Sequence, residues 1–160
     1  MIDEICINST LLAGASEVFE TMIFMDLDQC LDPEESLEGD VLLGSITFRG
    51  NIDGCLVIRC SFACARAIAT NMLGMDIDEE ISKEDIYDAL GEVTNMVMGS
   101  IKTQIQQTIK DLHVSIPIVT SGRIIETNLG DGSAERTLIK VTINGEYIAE
   151  FSLLYKEGSE

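Results

Sequence analysis

Residues 82–110 read SKEDIYDALGEVTNMVMGSIKTQIQQTIK. Ser82 followed by Asp85 three positions later is a capping-box signal, and it predicts a long helix over residues 83–110. Five apolar residues recur at steps of three and four and, at about 100° per residue, fall within one arc of roughly 80°. They are Ile86, Leu90, Val93, Val97 and Ile101. This arc predicts the face of the helix that packs on the core.

The opposite side of the helix carries a polar stripe. Its members fall within about 60° of one another by the same arithmetic. They are Asp88, Glu92, Asn95, Gly99 and Gln106, with Lys102 at the border. A glycine inside a helix costs about 1 kcal/mol relative to alanine, and close approach of another backbone is one reason to keep it. That backbone could belong to a second protein or to a loop of the same chain, and a glycine without any role is the third reading of Gly99.

The remaining segments predict two further helices. Residues 8–25 place apolar side chains at three- and four-residue steps. Ser61 is a suitable N-cap for a short helix that ends at Leu73, before Gly74. Residues 26–40, between the first helix and the first strand, are predicted to be a loop.

Five segments are predicted to be strands, and hairpin signals join several of them. They are residues 42–48, 55–60, 115–126, 137–143 and 147–154. Asn144-Gly145 is a strong signal for a tight hairpin between the last two. The sequence therefore predicts an α+β fold, a mainly antiparallel sheet with two long helices packed on it. The length of 160 residues suits a single domain over residues 1–160.

The balance of charge is strongly acidic. The chain carries 28 acidic and 10 basic side chains, a formal net charge of −18. Phosphate backbones and anionic lipids attract basic surfaces, so this balance argues against nucleic acid and membrane surfaces as partners. It is compatible with a protein partner that has a basic docking face.

The cysteines and the start of the chain indicate a reduced, cytoplasmic protein. The five cysteines include no Cys-x-x-Cys pair, and the chain has one histidine, so no metal site is predicted. Free thiols are typical of the cytosol. The acidic start lacks the basic region and apolar run of a signal peptide. No apolar run approaches the roughly 20 residues needed to span a membrane.

The sequence argues against two other enzyme classes, a nucleotide hydrolase and a cysteine-based phosphatase. It has no Gly-x-x-x-x-Gly-Lys-Ser/Thr loop, which excludes a nucleotide hydrolase of that type. In residues 60–66, Cys60 and Cys64 lie near Arg66 in sequence, a weak similarity to the thiol and arginine of a cysteine-based phosphatase. The favoured interpretation is that both thiols are buried on a short helix. His113 is predicted to cap the last turn of the long helix.

The long helix resembles the active-site helix of the CheC/CheX/FliY phosphatases. Their pattern is Asp or Ser, three residues, Glu, two residues, Asn, and a proline some twenty residues later. Asp88, Glu92, Asn95 and Pro117 match it. Shorter likenesses run through the first helix, the first hairpin and the end of the short helix. The first helix lacks the second Glu-x-x-Asn pair of two-site members, which makes the chain similar to the single-site CheX branch with a CheC-like fold.

The resemblance implies a protein phosphatase, a hydrolase that removes phosphate from the aspartate of a CheY-like response regulator. It implies that Asn95 orients the attacking water and that Glu92 docks on the receiver's lysine. Asp88, Gly99 and Lys102 are expected to contact the partner. The resemblance further implies a homodimer that needs no cofactor of its own, with Mg²⁺ on the receiver. The alternative is a non-catalytic adaptor that binds or sequesters a phosphorylated receiver.

Overall fold

The computed structural model describes residues 7–32, 37, 39–76, 79–122 and 135–158. Its helices confirm the three that the sequence predicts. Helix α1 spans Ile7–Val18 and continues into a π-helical turn, Phe19–Ile23. Helix α2 spans Phe62–Leu73, and helix α3 spans Lys83–Ile105.

The described strands form one sheet of seven strands in which every pairing is antiparallel. In chain order they are β1 Leu27–Gln29, β2 Val41–Arg49, β3 Ile52–Ser61, β4 His113–Val114, β5 Ile118–Gly122, β6 Glu135–Ile143 and β7 Tyr147–Glu157. Their order across the sheet is β1-β6-β7-β3-β2, and the outer edge of β2 is shared by β4 and β5. The α+β fold class is therefore confirmed.

The helix and hairpin ends use the side chains that the sequence indicates. The Ser61 and Ser82 hydroxyls accept hydrogen bonds from the backbone N–H groups of Cys64 and Asp85, at 3.1 and 3.0 Å. Gly74 ends α2 in the left-handed conformation, with φ of 67°. Asn144 and Gly145 have φ of 54° and 65°, the two positive values that a tight hairpin turn of this kind requires.

Residues 26–40, predicted to be a loop, contain a strand. The short β1 pairs with β6, Leu27 opposite Ile143. Asp26 and Asn144 reinforce this pairing, because the Asp26 N–H donates to Asn144 Oδ1 and the Asn144 N–H donates to the Asp26 carbonyl, each at 2.8 Å. Three residues are too few to show a two-residue period, so the partner strand rather than the local pattern specifies β1.

The end of α3 also differs from the prediction. The helix stops at Ile105 instead of Lys110, and the N–H groups of Thr108 and Ile109 both donate to the Ile105 carbonyl, at 3.0 and 2.7 Å. His113 caps no helix, because it lies in β4 opposite Arg49. The strand predicted over residues 115–126 is regular over Ile118–Gly122, and its last four residues lie outside the described ranges.

The main core lies between the sheet and the helices on one of its faces. All five residues of the predicted core face of α3 are buried. They meet apolar side chains from alternate positions of the strands, such as Leu42, Ile46 and Ile58. Phe19 and Phe151 form an edge-to-face contact with ring centroids 6.2 Å apart, which ties the end of α1 to β7.

Gly44 sets how closely α3 approaches the sheet. A Cβ atom at this position would collide with Thr94 Oγ1 and lie 3.3 Å from Leu90 Cγ. Thr94 is fully buried, and its hydroxyl donates to the Leu90 carbonyl at 2.8 Å, so it cannot swing into solvent. The absence of a side chain at Gly44 therefore allows α3 to lie directly on β2.

We expect Gly44→Ala to destabilise the protein by about 1–3 kcal/mol, the usual cost of overpacking a core. Urea unfolding at pH 7 measures the change. In a Thr94→Ala background the penalty of Gly44→Ala should shrink, because the two positions are in contact. Ser45→Ala, the next residue on the same strand, is the matched control. Equal losses from the two β2 substitutions would contradict this account of the contact.

Candidate functional site

The predicted polar stripe is exposed along α3. Asp88, Glu92 and Asn95 all face solvent, while Val93 and Thr94 between them are fully buried. Gly99, Lys102 and Gln106 are exposed as well. The polar stripe therefore lies on a helix whose opposite side is packed in the core. The packing fixes the backbone from which the polar side chains extend.

A cleft of about 480 Å³ lies between the first half of the stripe and β5, and Asp88 and Glu92 line it from the helix. Pro117 and Val119 line it from the opposite wall. The two walls touch at Gly91, where an added Cβ atom would lie 3.6 Å from Val119 Cγ2 and 3.9 Å from Pro117 Cγ. The fold thus brings Pro117, twenty-five positions after Glu92 in the sequence, to the same cleft.

Three residues of the cleft were not predicted as site residues. Tyr87, Gly91 and Val119 line it together with the predicted ones. The glycine could have been noticed, because a second helix-interior glycine beside Glu92 signals a close neighbour. Tyr87 and Val119 carry no such signal, since their contribution depends on β5 pairing with β2 and placing Val119 opposite Gly44.

Gly99 lies in open space. A Cβ atom built on it would have no heavy atom within 4 Å, so no described loop of the same chain packs on it. Among the described residues nothing supports the self-packing explanation of the glycine, and the readings that remain there are a second protein or no role. The Gly99 carbonyl accepts a hydrogen bond from Thr103 Oγ1 at 3.0 Å.

The thiols of Cys60 and Cys64 are unsuited to nucleophilic chemistry. Both side chains are fully buried. A hydrogen bond with Cys64 and then burial raise the pKa of Cys60 well above its ordinary value, which keeps it protonated and unreactive. The Arg66 guanidinium donates to the Glu79 carbonyl at 3.0 Å. These residues therefore do not form the anion-binding loop of a cysteine-based phosphatase.

The described residues offer neither a metal-binding cluster nor a membrane-spanning helix. Within the described ranges, no three His, Cys, Asp or Glu side chains are grouped so that they could hold a metal ion. In the same part of the chain, no helix combines the length and the apolar character needed to cross a bilayer.

The chain matches the model of a known protein family. The family model described as chemotaxis phosphatase CheX matches residues 42–137. The chain belongs to the CheX family. The matched range contains all of α3, the cleft and Pro117, so the motif that suggested the resemblance lies inside it. No curated protein matches the sequence at a significant level.

Solved CheX structures share the fold over nearly the whole chain. CheX from Vibrio vulnificus is 25% identical and covers 95% of this chain and 97% of its own, with a TM-score of 0.77. CheX from Desulfovibrio desulfuricans is 22% identical and covers 94% and 99%, with a TM-score of 0.74. A chain of the CheX–CheY–BeF3–Mg²⁺ complex from Borrelia burgdorferi is 19% identical and covers 93% and 97%, with a TM-score of 0.68.

The buried thiols make stability depend on pH in the alkaline range. Burial also raises the pKa of Cys55, so two thiols hold their protons longer in the folded than in the unfolded chain. Their contribution is fully present below about pH 8.5, the ordinary thiol pKa. It is lost as the pH rises further, because the unfolded chain then releases protons that the folded chain keeps.

We therefore expect urea stability to fall as the pH rises above about 8.5, the ordinary thiol pKa, with a shallower fall in Cys60→Ala, which lacks one of the two thiols. In the native state at pH 8, Ellman's reagent should react with Cys30 before it reacts with Cys55, Cys60 or Cys64. Identical pH slopes for the wild type and the variant would contradict the assignment of this effect to Cys60.

Proposed function

We propose that this chain is a cytoplasmic phosphatase that hydrolyses the phosphoaspartate of a CheY-like response regulator. The main support is the exposed pair of Glu92 and Asn95 on α3, in a chain of the chemotaxis phosphatase family. The position of Pro117 in the cleft with Glu92 adds to it. The Borrelia burgdorferi complex holds CheX and CheY together with Mg²⁺ and beryllofluoride, a mimic of the phosphoryl group, and so supports a receiver as partner.

Asn95 is proposed to orient the attacking water. A phosphoaspartate is an acyl phosphate, so its hydrolysis needs positioning and charge stabilisation more than new covalent chemistry. A carboxamide both donates and accepts hydrogen bonds and stays neutral beside phosphate. The Asn95 side chain forms no hydrogen bond with any other residue that the structure describes, so both ends of its amide are available for a water molecule in line with phosphorus.

Glu92 is proposed to fix the position of the helix on the receiver. It lies one helical turn before Asn95, about 4.5 Å along the axis, and its carboxylate is exposed. Pairing with the receiver's lysine would set the distance between Asn95 and the phosphoryl group. Asp88, one turn further back, would add a second carboxylate to the same contact, and Lys102 would contact the partner at the other end of the stripe.

The Mg²⁺ of this reaction would belong to the substrate. A receiver domain holds its phosphoryl group with its own metal and lysine, as the resemblance implies, so this chain would need no cofactor. Its contribution is the placement of one amide and of carboxylates that complement the cationic pocket of the receiver.

A homodimer is also proposed, on the strength of the family likeness. In the described part of the sheet, β5 pairs with β2 and with no other strand. Ile116 and Ile118 at this edge are 82% and 62% exposed. A sheet edge with exposed isoleucines favours pairing with another chain, and a second copy would cover it.

The first test of the phosphatase is phosphate release from acetyl-phosphate-treated receivers. We expect the wild type to accelerate release, and Asn95→Ala to lower kcat at least 100-fold because the water is no longer held in line. Glu92→Ala should raise KM and lower kcat/KM, because docking is impaired. Both residues are exposed, so each variant should unfold within about 0.5 kcal/mol of the wild type.

Glu146→Ala, at the exposed tip of the β6–β7 hairpin, removes the same charge away from the stripe and serves as the control. Its rate should equal that of the wild type. If Asn95→Ala kept the full rate, the proposed role of the amide would be wrong. Tight receiver binding with no acceleration by the wild type would favour the non-catalytic adaptor.

Two substitutions at Gly99 should affect stability and docking differently. Because space for a Cβ atom is available, Gly99→Ala should raise the free energy of unfolding by about 0.5–1 kcal/mol, the gain in helix propensity. The larger Gly99→Leu should leave folding intact but weaken binding of a beryllofluoride-activated receiver at least tenfold, because the two backbones can no longer approach. Titration calorimetry and urea unfolding measure the two effects. Unchanged affinity in Gly99→Leu would mean that the glycine has no role in docking.

A further inference from the structure

A second concavity, of about 520 Å³, lies where α3 ends. Lys102 lines it from the last turn of the helix, and Lys110 and His113 line it from the segment that follows. Asp111 is the one carboxylate among the described residues that line it. Arg49 lies directly opposite His113 in the β2–β4 pairing, and directly paired residues share a face of the sheet. Two lysines and the imidazole therefore line this pocket, and Arg49 lies next to His113 at its side.

Such a concentration of basic groups contrasts with the rest of the chain. The protein has 10 basic and 28 acidic residues and one histidine, so three of its ten cations lie at this one place. Arg49, Lys102 and Lys110 form no ion pair with any other residue of the described ranges. Cations without an ion pair in the described part of so acidic a protein form a surface that attracts an external anionic group.

The segment that carries Lys110 and His113 is packed against the core. Ile109 and Leu112 line it and are buried in the main core, so the segment after the helix is anchored at two points. The β2–β3 turn packs against the same segment, because a Cβ atom on Gly50 would lie 2.8 Å from the Asp111 carbonyl oxygen. The cations therefore extend from a packed base and not from a freely moving tail.

We infer that this cationic pocket is a second docking subsite, which takes an acidic segment of the receiver domain. The inference rests on the proposed function. Glu92 and Lys102 are ten residues apart on one helix, about 15 Å along its axis. A standard interface covers about 800 Å² per partner, which is a disc of about 16 Å radius. A receiver centred on Glu92 and Asn95 therefore reaches the pocket.

The charge pattern of the docking face supports this occupant. Asp88 and Glu92 place negative charge at one end, opposite the metal and lysine of the receiver's phosphorylation site, and the cationic pocket places positive charge at the other. A partner with the inverse pattern, a cationic centre flanked by an acidic segment, fits in one orientation only. Complementary charges of this kind determine orientation and association rate more than total affinity.

Binding of beryllofluoride-activated receivers, measured by surface plasmon resonance at several salt concentrations, tests the inference without requiring turnover. For the receiver that binds most tightly, Lys110→Glu should raise Kd about five- to tenfold, mostly through a slower association rate. Lys110→Gln should raise Kd less and should reduce the dependence of Kd on salt. Arg136→Glu makes the same charge change at an exposed position of β6 and should leave Kd within twofold of the wild type.

Several results would overturn the inference. One is an unchanged Kd in Lys110→Glu, and another is an equal loss in Arg136→Glu, which would show a general charge effect. A third is weaker product inhibition by inorganic phosphate in Lys110→Gln with unaltered receiver binding, which would make the pocket a site for free phosphate. Failure of the wild type to bind any activated receiver would also rule out the second docking subsite. Binding without phosphate release, by contrast, would contradict the phosphatase proposal alone.

Discussion

The contact between Gly44 of β2 and the Thr94–Leu90 turn of α3 determines where the candidate site lies. Because the strand offers no side chain there, the helix rests directly on the sheet, and its buried arc cannot rotate without exposing several core residues. The polar stripe is consequently held at a fixed angle to the sheet. The same strand, β2, also pairs with β5, so one strand positions both walls of the cleft.

Much of this arrangement could be predicted from the sequence, because it depends on local patterns. The two faces of α3 follow from the 3.6-residue period, and the starts of α2 and α3 follow from Ser61 and Ser82. Other features depend on contacts distant in sequence. Strand β1 exists because β6 offers a free edge, and α3 ends at Ile105 because Ile109 and Leu112 turn into the core. The family pattern gave only the sequence spacing of Pro117, and its nearness to Glu92 depends on the pairing of β5 with β2.

The clustering of acidic and basic side chains becomes visible only in the folded structure. In the sequence, ten basic residues are scattered among twenty-eight acidic ones, and the net charge alone is only compatible with a partner that has a basic docking face. The fold places the acidic side chains of Asp88 and Glu92 at one end of the proposed docking face and the basic ones of Lys102 and Lys110 at the other. A protein can therefore be strongly acidic overall and still present a local surface of opposite sign to part of its partner.

The cleft also has unequal walls. One wall is α3, packed into the main core along its length. The other is β5, five residues long and bonded to a single strand among those described. Edge elements with few neighbours open at a lower free energy than the core they adjoin. In a single copy of the chain, the width of the cleft would therefore depend on the local stability of this edge strand, and substitutions that loosen or tighten the β2–β5 pairing would tune the fit of a partner without altering the helix that bears Glu92 and Asn95.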